Sequence, residues 1–136
     1  MATINLKGIT ALTSTGITSP TISSGVITFT IGSGVSVNAQ GSSVAAYTAV
    51  LADANNLVTM SDASASTFTV PTNASVAFPI GTTLTVIQLG AGQITLTAAG
   101  GVTINTPSSL TARVQYSTIA VVQVSANVWV AGGDLT

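Results

Sequence analysis

Cysteine, histidine and glutamate are absent from this chain of 136 residues, and only Lys7, Arg113, Asp53, Asp62 and Asp134 carry charge. Without cysteine, no disulfide or thiolate metal site holds the fold. Without histidine and cysteine, the Ser-His-Asp and Cys-His arrangements of nucleophilic catalysis are excluded, and so are the usual zinc ligand sets. Charged residues make up 4% of the chain, against roughly 25% in an average soluble protein. A net charge of −1 produces no field that steers the chain to nucleic acid or to an anionic membrane, and one lysine with one arginine cannot neutralise a phosphate backbone. Mean hydropathy is high at +0.68, yet no apolar run approaches the roughly 18–20 residues of a spanning helix. Apolar residues come in twos and threes broken by Thr, Ser and Gly. Outer-membrane strands of about 9–11 residues with aromatic girdles do not match segments this short, with aromatics at 4%. The opening MATINLKG lacks a basic region and an apolar core, so no secretory signal is expected.

What replaces charge is Gly, Ser and Thr with short β-branched stretches. A surface this poor in charge is weakly protected against association, which favours burial against other subunits over a soluble monomer. Thr82–Ala98 carries the clearest pattern. Leu84 and Val86 alternate with Thr83 and Thr85, then Ile94 and Leu96 alternate with Gln93, Thr95 and Thr97. Period-two alternation places one set on each face of a sheet, and Gly90-Ala91-Gly92 between the arms predicts a β-hairpin. Further strands are expected at Tyr47–Leu51, Leu57–Met60, Thr67–Val70, Val102–Asn105, Arg113–Tyr116, Thr118–Val124 and Val128–Ala131, separated by turn residues. Short strands with turn signals every eight to twelve residues predict an all-β fold, a jelly-roll-like antiparallel β-sandwich.

Residues 1–45 differ from the rest. A loose repeat runs through them: Gly8-Ile9-Thr10, Gly16-Ile17-Thr18, Gly25-Val26-Ile27 and Gly34-Val35-Ser36. The segment has too few large apolar residues for a core of its own, but its recurring apolar positions need burial. It reads as an extended β-rich arm, with Ile9, Ile17, Val26, Phe29, Ile31 and Val35 as candidate oligomer or attachment contacts. The expected division is therefore an arm over 1–45 and a sandwich over 46–136.

Few residues could carry chemistry. Gly90-Ala91-Gly92 has two glycines of a dinucleotide fingerprint, but Thr95 stands where the third belongs and a strand follows. Asp53 and Asp62 could form a catalytic pair, but both lie in turn-like sequence, where Asp bonds the nearby backbone. Asp53 with Asn55 and Asn56 could offer oxygens to calcium, but EF-hand spacing and a closing Glu are missing. Trp129 could stack on a sugar ring; flanked by Val128 and Val130 in a strand, it reads more readily as packing. Arg113 and Asp134 could pair across an interface. No enzyme activity, cofactor or metal is expected.

From Tyr47 onward the chain resembles a β-sandwich module of tailed-bacteriophage virion proteins, found in head-decoration and tail-fibre proteins. The resembling residues are Tyr47–Ala54, Leu57–Met60, Thr67–Pro71, Val76–Thr82, Gln88–Thr95, Gln115–Ser117 and Trp129–Leu135. The resemblance implies a non-enzymatic structural protein, trimeric, and brings no catalytic residues. The expected function is a capsid decoration, or cement, protein on the outside of the virion, with the major capsid protein as its partner. The alternative is a tail-fibre or receptor-binding protein that recognises a host-surface glycan.

Overall fold

The computed structural model describes residues 17–23, 26–31 and 34–136. The chain divides into two compact units, Met1–Gly34 and Val35–Thr136. In the first, β1 (Ile17–Ser23) pairs antiparallel with β2 (Val26–Ile31), Ile17 opposite Ile31 and Ser23 opposite Val26. The register shifts between Thr18 and Thr21. Pro20 lies in that interval, and its missing N–H confines proline to edges and bulges.

The second unit is all-β. Its strands are β3 (Val37–Gln40), β4 (Ala46–Thr48), β5 (Leu57–Met60), β6 (Ser66–Val70), β7 (Thr83–Gln88), β8 (Ile94–Ala98), β9 (Thr103–Asn105), β10 (Thr118–Ser125) and β11 (Val128–Gly133). A single turn of 3-10 helix spans Leu51–Asp53. One sheet runs β3-β5-β7-β10-β11-β9 and the other β4-β6-β8. Successive strands from β3 to β8 alternate between the two sheets, and each return lands parallel beside its predecessor. The chain therefore winds as a β-solenoid of three turns. Val37 sits beside Leu57, and Leu57 beside Thr85. β3 lies upstream of the expected 45/46 boundary and belongs to the first turn of the coil.

This corrects the antiparallel jelly roll. Between strands of this unit, antiparallel pairing is confined to β10, which joins β7 on one side and β11 on the other; two isolated bridges, Thr95 to Thr111 and Ala112 to Leu135, are also antiparallel. The hairpin expected at Thr82–Ala98 is a corner. Both arms are strands, but β7 lies in the six-stranded sheet and β8 in the three-stranded one. Gly90-Ala91-Gly92 turns the chain from one sheet to the other over the preceding corner at residues 61–64. The backbone ladder continues through this stack: Leu89 N and Gly90 N donate to Met60 O at 2.8 and 3.1 Å, and Gly92 N donates to Asp62 O at 3.0 Å. A Cβ at Gly90 would overlap the carbonyl oxygen of Asp62, and one at Gly92 that of Ser64. Close approach of stacked backbones, not a reversing turn, is why glycine stands here.

Inward ladders run across the turns of the coil: Asn38-Val58-Val86, Gln40-Met60-Gln88 and Tyr47-Phe68-Leu96. Val58, Met60, Phe68, Leu84, Val86, Ile94, Leu96, Ile119, Val121 and Trp129 are all at most 1% exposed and form one core. The β8 edge is covered by the segment at 110–112, through Leu96 N to Leu110 O (2.7 Å) and Ala112 N to Ile94 O (2.8 Å). Arg113–Tyr116, expected as a strand, is a turn instead. Val114 N donates to the Ser117 hydroxyl at 3.0 Å, Ser117 N donates back to Val114 O at 3.1 Å, and Tyr116 takes φ +71°. A serine hydroxyl that bonds nearby backbone competes with a sheet ladder.

Candidate functional site

The coil opens at β3 and β4, the edge strands of the two sheets. The inward side chains Asn38, Gln40 and Tyr47 of β3 and β4 are polar or carry a polar tip, whereas Val58, Met60 and Phe68 beside them in the next turn are apolar. Asp53, on the 3-10 turn and 1% exposed, organises them. Its Oδ1 accepts from Asn38 Nδ2 at 2.8 Å, and its Oδ2 accepts from the Tyr47 hydroxyl and from Val50 N, both at 2.8 Å. Asn38 Nδ2 also donates to the Tyr47 oxygen (2.7 Å), and Gln40 Nε2 donates to Asn38 Oδ1 (2.8 Å). The network lies over Val58, Met60 and Phe68 in the ladders and ends the apolar core with satisfied polar groups. The Tyr47 ring meets Phe68 at 6.0 Å between centroids.

Burial of the Tyr47 hydroxyl, and next the adjoining Asp53 carboxyl, push its pKa up from 10.0 to about 12. A phenol that ionises later in the folded chain than in the unfolded one contributes stability that is complete below pH 10 and is lost as pH rises towards 12. Denaturant melts at stepped alkaline pH are expected to show this decline, with Tyr47→Phe removing the part that Tyr47 supplies.

The candidate catalytic and metal residues are held in structural roles. Asp62 Oδ1 accepts from Ser64 N at 2.8 Å, fixing the corner beneath Gly92. Asn55, at φ +58°, accepts from Thr83 N at 3.0 Å, and Asn56 Oδ1 accepts from Ser36 N at 2.9 Å. These amide oxygens stitch neighbouring turns of the coil together. Among the described residues, no group of three or more His, Cys, Asp or Glu is placed to hold a metal. Trp129 is 1% exposed and packs edge-to-face on Phe78 at 5.6 Å, so its ring offers no face to a sugar.

Arg113 and Asp134 pair within the chain, Nε to Oδ1 at 2.6 Å, and the Ser117 hydroxyl donates to Asp134 Oδ2 at 2.7 Å. The bond from Arg113, then that from Ser117, holds the Asp134 carboxyl below its ordinary value. Arg113→Ala is expected to move the Asp134 titration, followed by carboxyl-carbon NMR, up towards that value. An unmoved midpoint would mean that the pair does not persist in solution.

Of the candidate attachment residues, Ile9 lies outside the described residues. Ile17 stands on β1, and Val26, Phe29 and Ile31 stand on β2. Val35 is 67% exposed at the start of the second unit. The sequence reading missed two groups. The partners of Asp53 come from β3 and β4, and the exposed side chain of Tyr116 sits on a turn read as a strand. Comparison with family models, curated proteins and solved structures finds no match to this chain.

Proposed function

We propose that this chain is a structural protein of a virion, a decoration protein that binds and reinforces a shell of major capsid proteins as a trimer on the capsid exterior. The observation that carries the reading is the division into two unlike units. Val35–Thr136 is a coil with a closed apolar core, whose two buried acids are committed to turns. The N-terminal unit contains a two-stranded sheet, β1-β2. A two-stranded ribbon is marginal by itself and gains stability from packing on a third element. A rigid head with an attachment segment needing a partner suits reinforcement of a shell, and a charge-poor surface suits dense assembly.

Burial of Trp129 removes the stacking platform that motivated receptor binding through a glycan. Decoration is therefore preferred over a tail-fibre role. In purified virions, quantitative mass spectrometry is expected to find this chain at a copy number comparable to that of the major shell protein. Deleting residues 1–34 is expected to leave a folded head that no longer co-sediments with capsids. A copy number far below the shell protein would move the protein to the tail, and undiminished binding by the truncated chain would remove the attachment role of the N-terminal unit.

A further inference from the structure

We infer that the corner at Gln88–Leu89 and the turn at Arg113–Ser117 together form a contact between copies of this chain, with Tyr116 at its centre. The inference rests on the assembly part of the reading above and not on the capsid. Tyr116 is 70% exposed, Val114 51% and Leu89 41%. All three stand on backbone that is tied together. Tyr116 N donates to Gln88 O at 2.7 Å, and Gln115 Nε2 donates to Leu89 O at 2.8 Å. Gln88, 2% exposed, spans its own corner from the inside, Oε1 accepting from Ile94 N at 3.2 Å. Apolar side chains presented from fixed backbone lose little freedom on association.

Tyr116 holds φ +71°. A bulky residue is disfavoured there and a glycine or asparagine is not. Strain kept by a large aromatic points to use of its side chain, and tyrosine and arginine are frequent anchors of contacts.

Charge identifies the occupant. Asp53 and Asp62 are buried at 1% and 8% exposed. Among the described residues, the ionic side chains that reach solvent are therefore Arg113, exposed at 60%, and its half-buried partner Asp134 at 35%, and they flank this turn. Their signs are opposite and they are adjacent. A strongly basic or acidic partner finds as much repulsion as attraction on this end. A rotated copy brings an apolar patch whose Arg113 and Asp134 are likewise paired within their own chain, so the two faces meet with no net charge on either side.

The absence of cysteine from the chain gives a direct test. Tyr116→Cys and, on the same turn, Val114→Cys are made in the full-length protein, with Ala74→Cys at another exposed position as control. Under mild oxidation at low micromolar concentration, the two turn variants are expected to form covalent dimers at least tenfold faster than the control. Around a three-fold axis the reaction stops with one chain in three uncoupled, since three sulfurs make one disulfide; a two-fold contact runs to completion. Coupling of both turn variants at the control rate overturns the inference. Where Tyr116→Cys does not fold, Val114→Cys decides. Co-sedimentation of the unsubstituted chain with capsids is scored separately. Coupling without capsid binding keeps the contact and removes decoration, and capsid binding without preferential coupling does the reverse.

Discussion

Asp53→Ala is expected to lower the stability of the coil by about 3 kcal/mol, the cost of leaving buried donors without an acceptor. The carboxyl accepts from Asn38 Nδ2, the Tyr47 hydroxyl and Val50 N at once. Alanine removes every acceptor and adds none. Val50 N would lose its acceptor at the start of the 3-10 turn, the Tyr47 hydroxyl would keep only the Asn38 amide, and Asn38 would keep Tyr47 and Gln40. Half-satisfied networks cost more than apolar ones. For a domain whose total stability is about 5–15 kcal/mol, the loss is a large fraction, equivalent to a fall in melting temperature on the order of 10–20 °C. Asp53→Asn keeps one oxygen and turns a second acceptor into a donor facing donors, with an expected loss of about 1.5 kcal/mol. The measurement is urea denaturation of the three proteins side by side, read by CD. Equal midpoints would show that water reaches the first turn and replaces the carboxyl. The result also bears on chemistry: any activity lost in an Asp53 variant has to be corrected for unfolding before it is assigned to a catalytic acid.

Most strand positions were legible because their signal is local, although the strand expected over Tyr47–Leu51 ends at Thr48 and Leu51 opens the 3-10 turn. Leu57–Met60 is observed as read, and the 67–70, 84–86, 94–97, 118–124 and 128–131 stretches all lie in observed strands. Alternation and flanking Gly, Pro and Asn report how a segment sits on a sheet, whichever neighbour it pairs with. Direction of pairing is not local. Two strands joined by a glycine-containing loop look alike whether the loop reverses the chain or carries it around a corner. The pattern that distinguishes the two is the recurrence of matched segments: Ala46-Tyr47-Thr48, Thr67-Phe68-Thr69 and Thr95-Leu96-Thr97 stack in register as β4, β6 and β8. An aromatic or leucine between small outward residues, repeated three times, is the imprint of the coil. Trp129 was legible from its valine neighbours. Asp53 was legible as a turn residue, but its partners Asn38 and Tyr47 were not, because they meet it only when the first turn closes. Tyr116 was hidden by the alternation of Val114 and Tyr116, which imitates a strand while the Ser117 hydroxyl ends it.

Gly92→Ala is expected to destabilise the coil by about 3 kcal/mol or more, the upper range for overpacking, although alanine adds one methyl to a position the chain's sequence would allow in any loop. The methyl has nowhere to go. Its site coincides with the carbonyl oxygen of Ser64, and Asp62 O lies 2.9 Å from it. Both are backbone, so relief requires one corner of the coil to move away from the other. That movement would stretch the Gly92 N to Asp62 O bond at 3.0 Å and the Ser66 N to Gln93 O bond at 3.0 Å, which carry the ladder across the stack. A flexible side chain could yield; two bonded corners cannot yield singly. In a hairpin turn, by contrast, where glycine serves only a positive φ, alanine costs about 1–2 kcal/mol, the strain of a Cβ in the left-handed region. The two geometries thus predict different sizes for one substitution. The decisive comparison is Gly92→Ala against Gly100→Ala, where a Cβ meets nothing within 4 Å. A large loss at 92 with little change at 100 follows from stacked corners. Equal, small losses would mean that the corners at 61–64 and 89–93 do not lie on one another, and the solenoid winding would have to be redrawn.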